Sequence, residues 1–424
     1  MKENIKINYG KEVLELEVEK EAIKYNLMPA DVETVSDVSE EVKRALANPI
    51  GTKPLNELVK QGNKVAILAD DITRLTPTKE IIPRVLNALN EGGVPDKDIT
   101  LVIALGTHRP MTTEESLQKY GQEVMGRIRI VNPNYLDKNS LKHYGVTRRG
   151  TDIWVNREVV EADVRIGIGN IVPHHPTGWS GGAKILLPGV AGEQTTGQFH
   201  LLGATEQLLG QIETPCREEM EDFARATGFD FIINTILDRD GKLVRIVAGH
   251  IIDAHREGVK WGRCVFGAPF KEKSDITLSS TYPVDFDLFQ ADKGMFSAAI
   301  STKAGGEIIL LSPCYEGVSP THPEVNELAH LSDDELFRLA REEFDQHDPL
   351  SIAEVLYFNS AKRMFKVTLV SDGITKETAQ KLGFNHVEPA NLQAYLDSKV
   401  KEGVSLGIVH NSAETLPIEK GQES

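Results

Sequence analysis

Three short apolar runs, each ending in unusual polar residues, constrain the fold of this chain more than any other feature. Lys64-Val65-Ala66-Ile67-Leu68-Ala69 ends in Asp70-Asp71-Ile72-Thr73-Arg74. The run over 99–105 ends in Gly106-Thr107-His108-Arg109-Pro110, and that over 163–168 ends in Gly169-Asn170 and continues to His174. Amphipathic helices are predicted between the runs, over 79–90 and from Thr113 onward. Strands that are apolar on both faces and alternate with helices specify a parallel sheet covered on both sides, so the fold class is α/β. Ligands of such sheets bind outside the carboxyl ends of the strands. All three runs put their polar residues there, so Asp71, Arg74, His108 and His174 are expected to share one site.

At 424 residues the chain exceeds what one hydrophobic core usually serves, and two domains are expected. The strand–helix pattern restarts after Gly267-Ala268-Pro269, with a strand over 275–280 that ends in Thr281-Tyr282-Pro283. Residues 1–266 are read as one α/β domain and 267–403 as a second, both with largely parallel sheets and with the site in the cleft between them. The last apolar run, 404–409, is expected to return to the first domain, which 404–424 would complete. Residues 4–18 alternate on either side of Gly10-Lys11 and read as a hairpin. Segments 229–237 and 242–247 read as a second hairpin across Asp238-Arg239-Asp240-Gly241. Helices are predicted over 37–48, 54–61, 193–202, 216–226, 252–261, 333–343, 351–362, 374–382 and 390–399.

A net charge of −16 argues against nucleic acid or an anionic membrane as partner, though a pocket's local field can still favour an anionic small molecule. No apolar run reaches the roughly 18 residues of a membrane span. Met1-Lys2-Glu3-Asn4 lacks a basic, apolar leader, and Cys216, Cys264 and Cys314 are scattered without a CxxC. These features read as a cytoplasmic protein with reduced thiols and a small-molecule substrate; they set no oligomeric state.

The chemistry concentrates in His174-His175-Pro176-Thr177-Gly178-Trp179-Ser180-Gly181-Gly182-Ala183-Lys184, followed by His200. Adjacent residues on an extended segment point to opposite faces, so one of His174 and His175 is expected in the site and the other in a structural role. The glycine turn is not a Walker loop, because Lys184 is followed by Ile185. Lys184 is open to three readings: a surface amine, a charge in the site, or a point of covalent attachment. His108 suits acid/base work, since an unperturbed pKa of about 6.5 permits transfer in both directions near neutrality. In Asp71-Ile72-Thr73-Arg74 the backbone, Thr73 hydroxyl and Arg74 could cradle a phosphate or carboxylate, or form no more than a helix cap and ion pair. His200 lies among Phe199, Leu201 and Leu202, where a half-buried structural histidine is the commoner reading; the company of Lys184 and His174 makes it a candidate ligand. Gln290 and Lys293 share one helical face, either solvated or reaching a substrate carboxylate across the cleft.

Taken together these motifs resemble the lactate racemase family of nickel-pincer nucleotide enzymes. The matching pieces are Asp71-Ile72-Thr73-Arg74, Gly106-Thr107-His108-Arg109-Pro110, His174 with Gly178 to Lys184, His200, and Tyr282-Pro283 with Gln290-Ala291-Asp292-Lys293-Gly294-Met295. The resemblance implies a nicotinate-derived mononucleotide bearing two sulfur substituents, with nickel bonded to both sulfurs and a ring carbon. It implies that Lys184 carries this cofactor covalently and that His200 is the one protein ligand of nickel. It further implies that the loop of Asp71, Ile72, Thr73 and Arg74, with Ser180, Gly181 and Gly182, holds the nucleotide. His108 and His174 would be paired acid/base residues, and Gln290, Lys293 and Arg74 would bind a 2-hydroxy acid. The reaction implied is racemisation or epimerisation by proton-coupled hydride transfer, with the cofactor-synthesis enzymes as transient partners.

Two departures bear on substrate choice. Phe289 stands where the lactate enzyme is expected to carry a tyrosine, and no tryptophan lies near Asp348-Pro349-Leu350. The residues alone also leave room for a zinc- or iron-dependent hydrolase or lyase using His108, His174 and His200 directly. They leave room too for a non-catalytic nucleotide- or anion-binding protein.

Overall fold

The computed structural model describes residues 1–421. It is built on two six-stranded sheets. The first runs, in spatial order, Leu243–Gly249, Phe231–Leu237, Val164–Asn170, Val65–Asp70, Ile99–Ala104 and Arg129–Val131. All neighbours in it are parallel except Phe231–Leu237 with Leu243–Gly249, the hairpin expected from the Asp-Gly turn. Val65–Asp70 is buried at every position, as a central strand covered on both faces must be. Helix Thr78–Glu91 covers one face with Ile81, Ile82, Val85, Leu86 and Leu89, an i, i+3/i+4 stripe.

The second sheet is wholly parallel: Asn385–Val387, Lys366–Val370, Thr302–Leu311, Ser274–Ser280, Leu406–Val409 and Ile23–Leu27. Here the strand pairing corrects the expected boundaries. The run 404–409 does not return to the first sheet; Leu406–Val409 lies between Ser274–Ser280 and Ile23–Leu27. The amino-terminal hairpin, Lys2–Tyr9 against Glu12–Glu19, packs Ile5, Ile7, Leu16 and Val18 into the core of this second sheet as well. Both ends of the chain therefore complete the second sheet. Leu416–Glu419 pairs with Gly267–Phe270 in a small separate ribbon, and 422–424 lie outside the described residues.

The first sheet reverses its strand order once. In the first, successive connections run outward from Val65–Asp70 on one side and from Val164–Asn170 on the other. In the second, connections run outward from Ser274–Ser280 on one side, and the chain returns at its end to place Leu406–Val409 on the other, beside Ile23–Leu27. At such a switch point the two flanking loops separate and leave a crevice at the carboxyl ends. Segments that follow the carboxyl ends of strands in both sheets line one cavity of about 560 Å³: Asp71 and His174 from the first sheet, Phe289, Gln290 and Glu414 from the second. Among the described residues no helix is long and apolar enough to cross a membrane.

Candidate active site

The loop after Val65–Asp70 is tied by Asp71. Its Oδ1 accepts from the Thr73 backbone N–H at 3.0 Å and from the Thr73 hydroxyl at 2.5 Å, and Thr73 in turn accepts from Arg74 at 2.9 Å. Its Oδ2 lies 2.7 Å from His108 Nδ1, at the end of the neighbouring strand. Burial alone would push the Asp71 carboxyl up. The hydrogen bond and charge of His108, helped by Arg74 and Thr73, outweigh it and hold the group well below the usual carboxylate range. An ionised Asp71 can only accept, so His108 carries a proton on Nδ1, and Nε2 is the nitrogen left to exchange a proton.

Because the folded value is lowered, Asp71 adds stability above its unfolded pKa of about 3.9, and that contribution fades as pH falls toward the folded value. Asp71→Asn is expected to cost about 1.5–3 kcal/mol near neutrality, the usual worth of a charged hydrogen bond. The gap in thermal midpoint between wild type and variant should hold from pH 7 to about pH 5 and narrow as pH falls through about 4 toward 2.

His174 sits in a two-residue strand, Pro173–His174, paired with Gly178–Trp179. The Thr177 hydroxyl donates to the Trp179 carbonyl at 2.8 Å and lies 3.1 Å from His174 Nδ1. A hydroxyl has one hydrogen, so Thr177 accepts from Nδ1–H and the lone pair is on Nε2, which meets Lys184 Nζ. Burial, then the charges of Lys184 and Lys293, push His174 well below the usual histidine value and keep it neutral. His175 points the other way: its ring stacks on Phe296 with centroids 3.4 Å apart. One histidine thus faces the chemistry and its neighbour packs, as the extended backbone requires.

The turn before Lys184 depends on backbone that only glycine adopts without strain. Gly181 has φ of 76°, and a Cβ there would come within 2.6 Å of Ile171. Ser180 Oγ accepts from Val172 N–H at 2.8 Å and donates to the Asn170 carbonyl at 2.9 Å, fixing the turn against the strand end. Lys184 is half-buried on the cavity wall; burial, then the cations Arg74, Lys293 and Arg217, push its ammonium well below the usual lysine value. His200, on helix Glu193–Leu201, donates from Nδ1 to the Thr196 carbonyl at 2.7 Å. A carbonyl can only accept, so Nε2 is again the free lone pair, and burial pushes this imidazole down to about 4.

From the second sheet, Lys293 Nζ donates to Gln290 Oε1 at 2.6 Å. The helix expected to carry both is two pieces, Leu288–Ala291 and Lys293–Ser301, meeting at Asp292. The cavity gathers Asp71, Thr73, Arg74, His108, His174, Ser180, Gly181, Lys184, His200, Gln290 and Lys293. Two residues expected to hold cofactor do not line it. Ile72 turns its side chain onto the core of the first sheet, and Gly182 donates its N–H to Asn234 at 2.8 Å behind the turn.

Sequence reasoning missed the supports. Arg217, fully buried on helix Pro215–Thr227, donates to the Trp179 and Gly181 carbonyls, the latter at 3.1 Å. His255 Nε2 reaches the Ser180 carbonyl at 2.9 Å. The pair His322–Asp348, at 2.8 Å, also meets the Thr107 hydroxyl at 3.3 Å and so ties the second sheet to the His108 loop. Arg217 and His255 look like ordinary positions of amphipathic helices, and only their complete burial marks them. Among the described residues no three His, Cys, Asp or Glu side chains group closely enough to hold a metal ion, so His108, His174 and His200 do not make a direct three-histidine centre.

Residues 9–209 match the family model described as the lactate racemase N-terminal domain, and 270–392 match that of the lactate racemase C-terminal domain. The chain is 34% identical over 286 residues to a lactate racemase of Lactiplantibacillus plantarum, spanning 66% of each chain. It is 31% identical over 322 residues to that of Thermoanaerobacterium thermosaccharolyticum, spanning 74% of this chain and 75% of that protein. The structure of the lactate racemase apoprotein from the latter organism superposes with a TM-score of 0.86 and 25% identity, covering 98% of this chain and all of that one. A Thermotoga maritima protein shares the fold, with a TM-score of 0.69 at 20% identity over 90% of this chain and 98% of that one. The chain belongs to the lactate racemase family of isomerases.

Proposed function

We propose that this protein racemises or epimerises a 2-hydroxy acid, using a nickel-pincer nucleotide held at Lys184. The observation that carries the reading is the matched pair His108 and His174. Each is fixed through Nδ1–H, by Asp71 and by Thr177, and each has its basic nitrogen on one cavity. Two bases are what inversion at one carbon requires, because the two enantiomers present their hydroxyls to different walls. His174 takes the hydroxyl proton of one enantiomer and His108 takes that of the other. Lys293, braced by Gln290, and Arg74 bind the carboxylate and hold the planar 2-keto acid while it turns.

The residues present fit the cofactor. Lys184 is a lysine whose ammonium is disfavoured, and its free amine suits an acyl-type attachment. His200 offers one neutral nitrogen in a fixed tautomer, the form a metal ligand needs. Thr73 and Arg74 suit a phosphate at the switch point. With too few clustered side chains for an independent metal centre, a group that brings most of its own ligands is the consistent partner. When bound, this group supplies the acceptor and donor for the C2 hydride.

The test is optical inversion of enantiopure 2-hydroxy acids by protein produced together with the cofactor-synthesis enzymes. Inversion of at least one acid is expected. Nickel-free protein carrying zinc and no chromophore, with hydrolase or lyase activity, would contradict the reading.

A further inference from the structure

The cavity wall carries a carboxyl that the proposed chemistry leaves unused. Glu354 projects from helix Pro349–Met364, one turn beyond Leu350, and both line the cavity. It is 2% exposed, and its Oε1 is shut off from water with no hydrogen-bond partner. Burial, then the charges of Asp292 and Asp287, push this carboxyl well above the usual range, against a smaller opposing pull from Lys293. A neutral carboxyl offers one O–H donor and an accepting oxygen. Among the described residues nothing satisfies Oε1, although buried polar groups are almost always paired.

The chemistry of the missing partner follows from these neighbours. An apolar substrate tail would leave the carboxyl unmet, which sites built for hydrogen bonding penalise heavily. A second substrate carboxylate would enter a wall already lined by Asp292, Glu354 and Glu414. A hydroxyl brings one donor and one acceptor and no charge. The geometry points to Glu354 as a specificity residue that hydrogen-bonds a hydroxyl carried beyond C2, which makes the substrate a polyhydroxy 2-hydroxy acid. This rests on the racemase reading above and names its substrate class.

Paired substrates test it. Loaded wild type, Glu354→Gln and Glu354→Leu are assayed on 2,3-dihydroxypropanoate against lactate, and on 2,3,4-trihydroxybutanoate against 2-hydroxybutanoate, with malate as the dicarboxylate. Wild type is expected to favour each hydroxylated acid over its deoxy partner, and both over malate, by about 10-fold or more in kcat/KM, mainly through KM. Glu354→Leu should bring the hydroxylated-to-deoxy ratio to one or below. Glu354→Gln should keep most of the preference, because an amide also donates and accepts. The thermal midpoint of Glu354→Leu should equal or exceed that of wild type, since the unmet carboxyl is gone; a merely structural role would lower it and depress every substrate alike. A hydroxylated-to-deoxy ratio unchanged in Glu354→Leu, or a wild-type preference for the deoxy acids or malate, overturns the assignment and leaves the racemase reading standing. Inversion of no 2-hydroxy acid by loaded wild type overturns both.

Discussion

His174→Ala is expected to slow inversion by about 10²–10⁴-fold, the range ordinarily lost with a general acid or base. His108→Ala should fall in the same range. In the proposed mechanism each turnover needs one histidine to take the hydroxyl proton and the other to return it, so neither single variant should spare one direction. The double variant should then be little worse than either single one, as is usual for residues that act as a unit. The supports predict a gradation. Thr177 holds only the tautomer and ring orientation of His174, so Thr177→Val should cost less than losing the ring itself. Initial rates from each enantiomer check these outcomes. Full activity in the double variant would show that neither histidine carries the proton transfer, whereas no inversion by loaded wild type would favour a binding protein without catalysis.

Lys184→Ala is expected to abolish covalent loading. Wild-type protein made alongside the cofactor-synthesis enzymes should show an intact mass above that of the polypeptide, and the variant should show the polypeptide mass alone. His200→Ala separates tether from ligand. It removes a neutral nitrogen whose Nδ1 is already committed to Thr196, so nickel should be lost while the mass increase at Lys184 remains. The attachment chemistry is favoured by the site itself. An amine withdrawn from water beside Arg74, Lys293 and Arg217 is poorly charged, and the uncharged amine is the nucleophile. An unmodified wild-type mass would contradict the attachment.

Much of this site is legible in the sequence because parallel sheets deliver it to one edge. Asp71, His108 and His174 each follow an apolar run, and a polar residue at that place is conspicuous. The adjacency of His174 and His175 likewise carries its own geometry, since extended backbone sends one ring to the cavity and the other onto Phe296. Long-range placement is not legible. The run 404–409 is apolar enough for either sheet, and only its pairing with Ser274–Ser280 and Ile23–Leu27 settles where it goes. Ile72 sits inside a polar motif yet packs as the apolar residue it is. Arg217 and Glu354 look like solvated helix positions; burial, which depends on elements distant in the chain, gives them their roles.

The substrate pocket shows the same limit. Gln290 and Lys293 are visible as a helical pair, but the break at Asp292 that brings Nζ onto Oε1 is a tertiary feature. Phe289 packs beside His322, with ring centroids 5.1 Å apart, and His322 reaches Thr107 next to His108. The departure at 289 therefore touches both the substrate pocket and the tie between the two sheets.

In the proposed mechanism inversion moves hydride from C2 and back, with His108 and His174 handling only the hydroxyl proton. An enantiopure 2-hydroxy acid deuterated at C2, incubated in ordinary water with the loaded protein, tests it most directly. Inverted product that keeps its deuterium is expected. Inversion with C2 hydrogen drawn from solvent would contradict it, because the histidines would then be removing the C2 proton themselves.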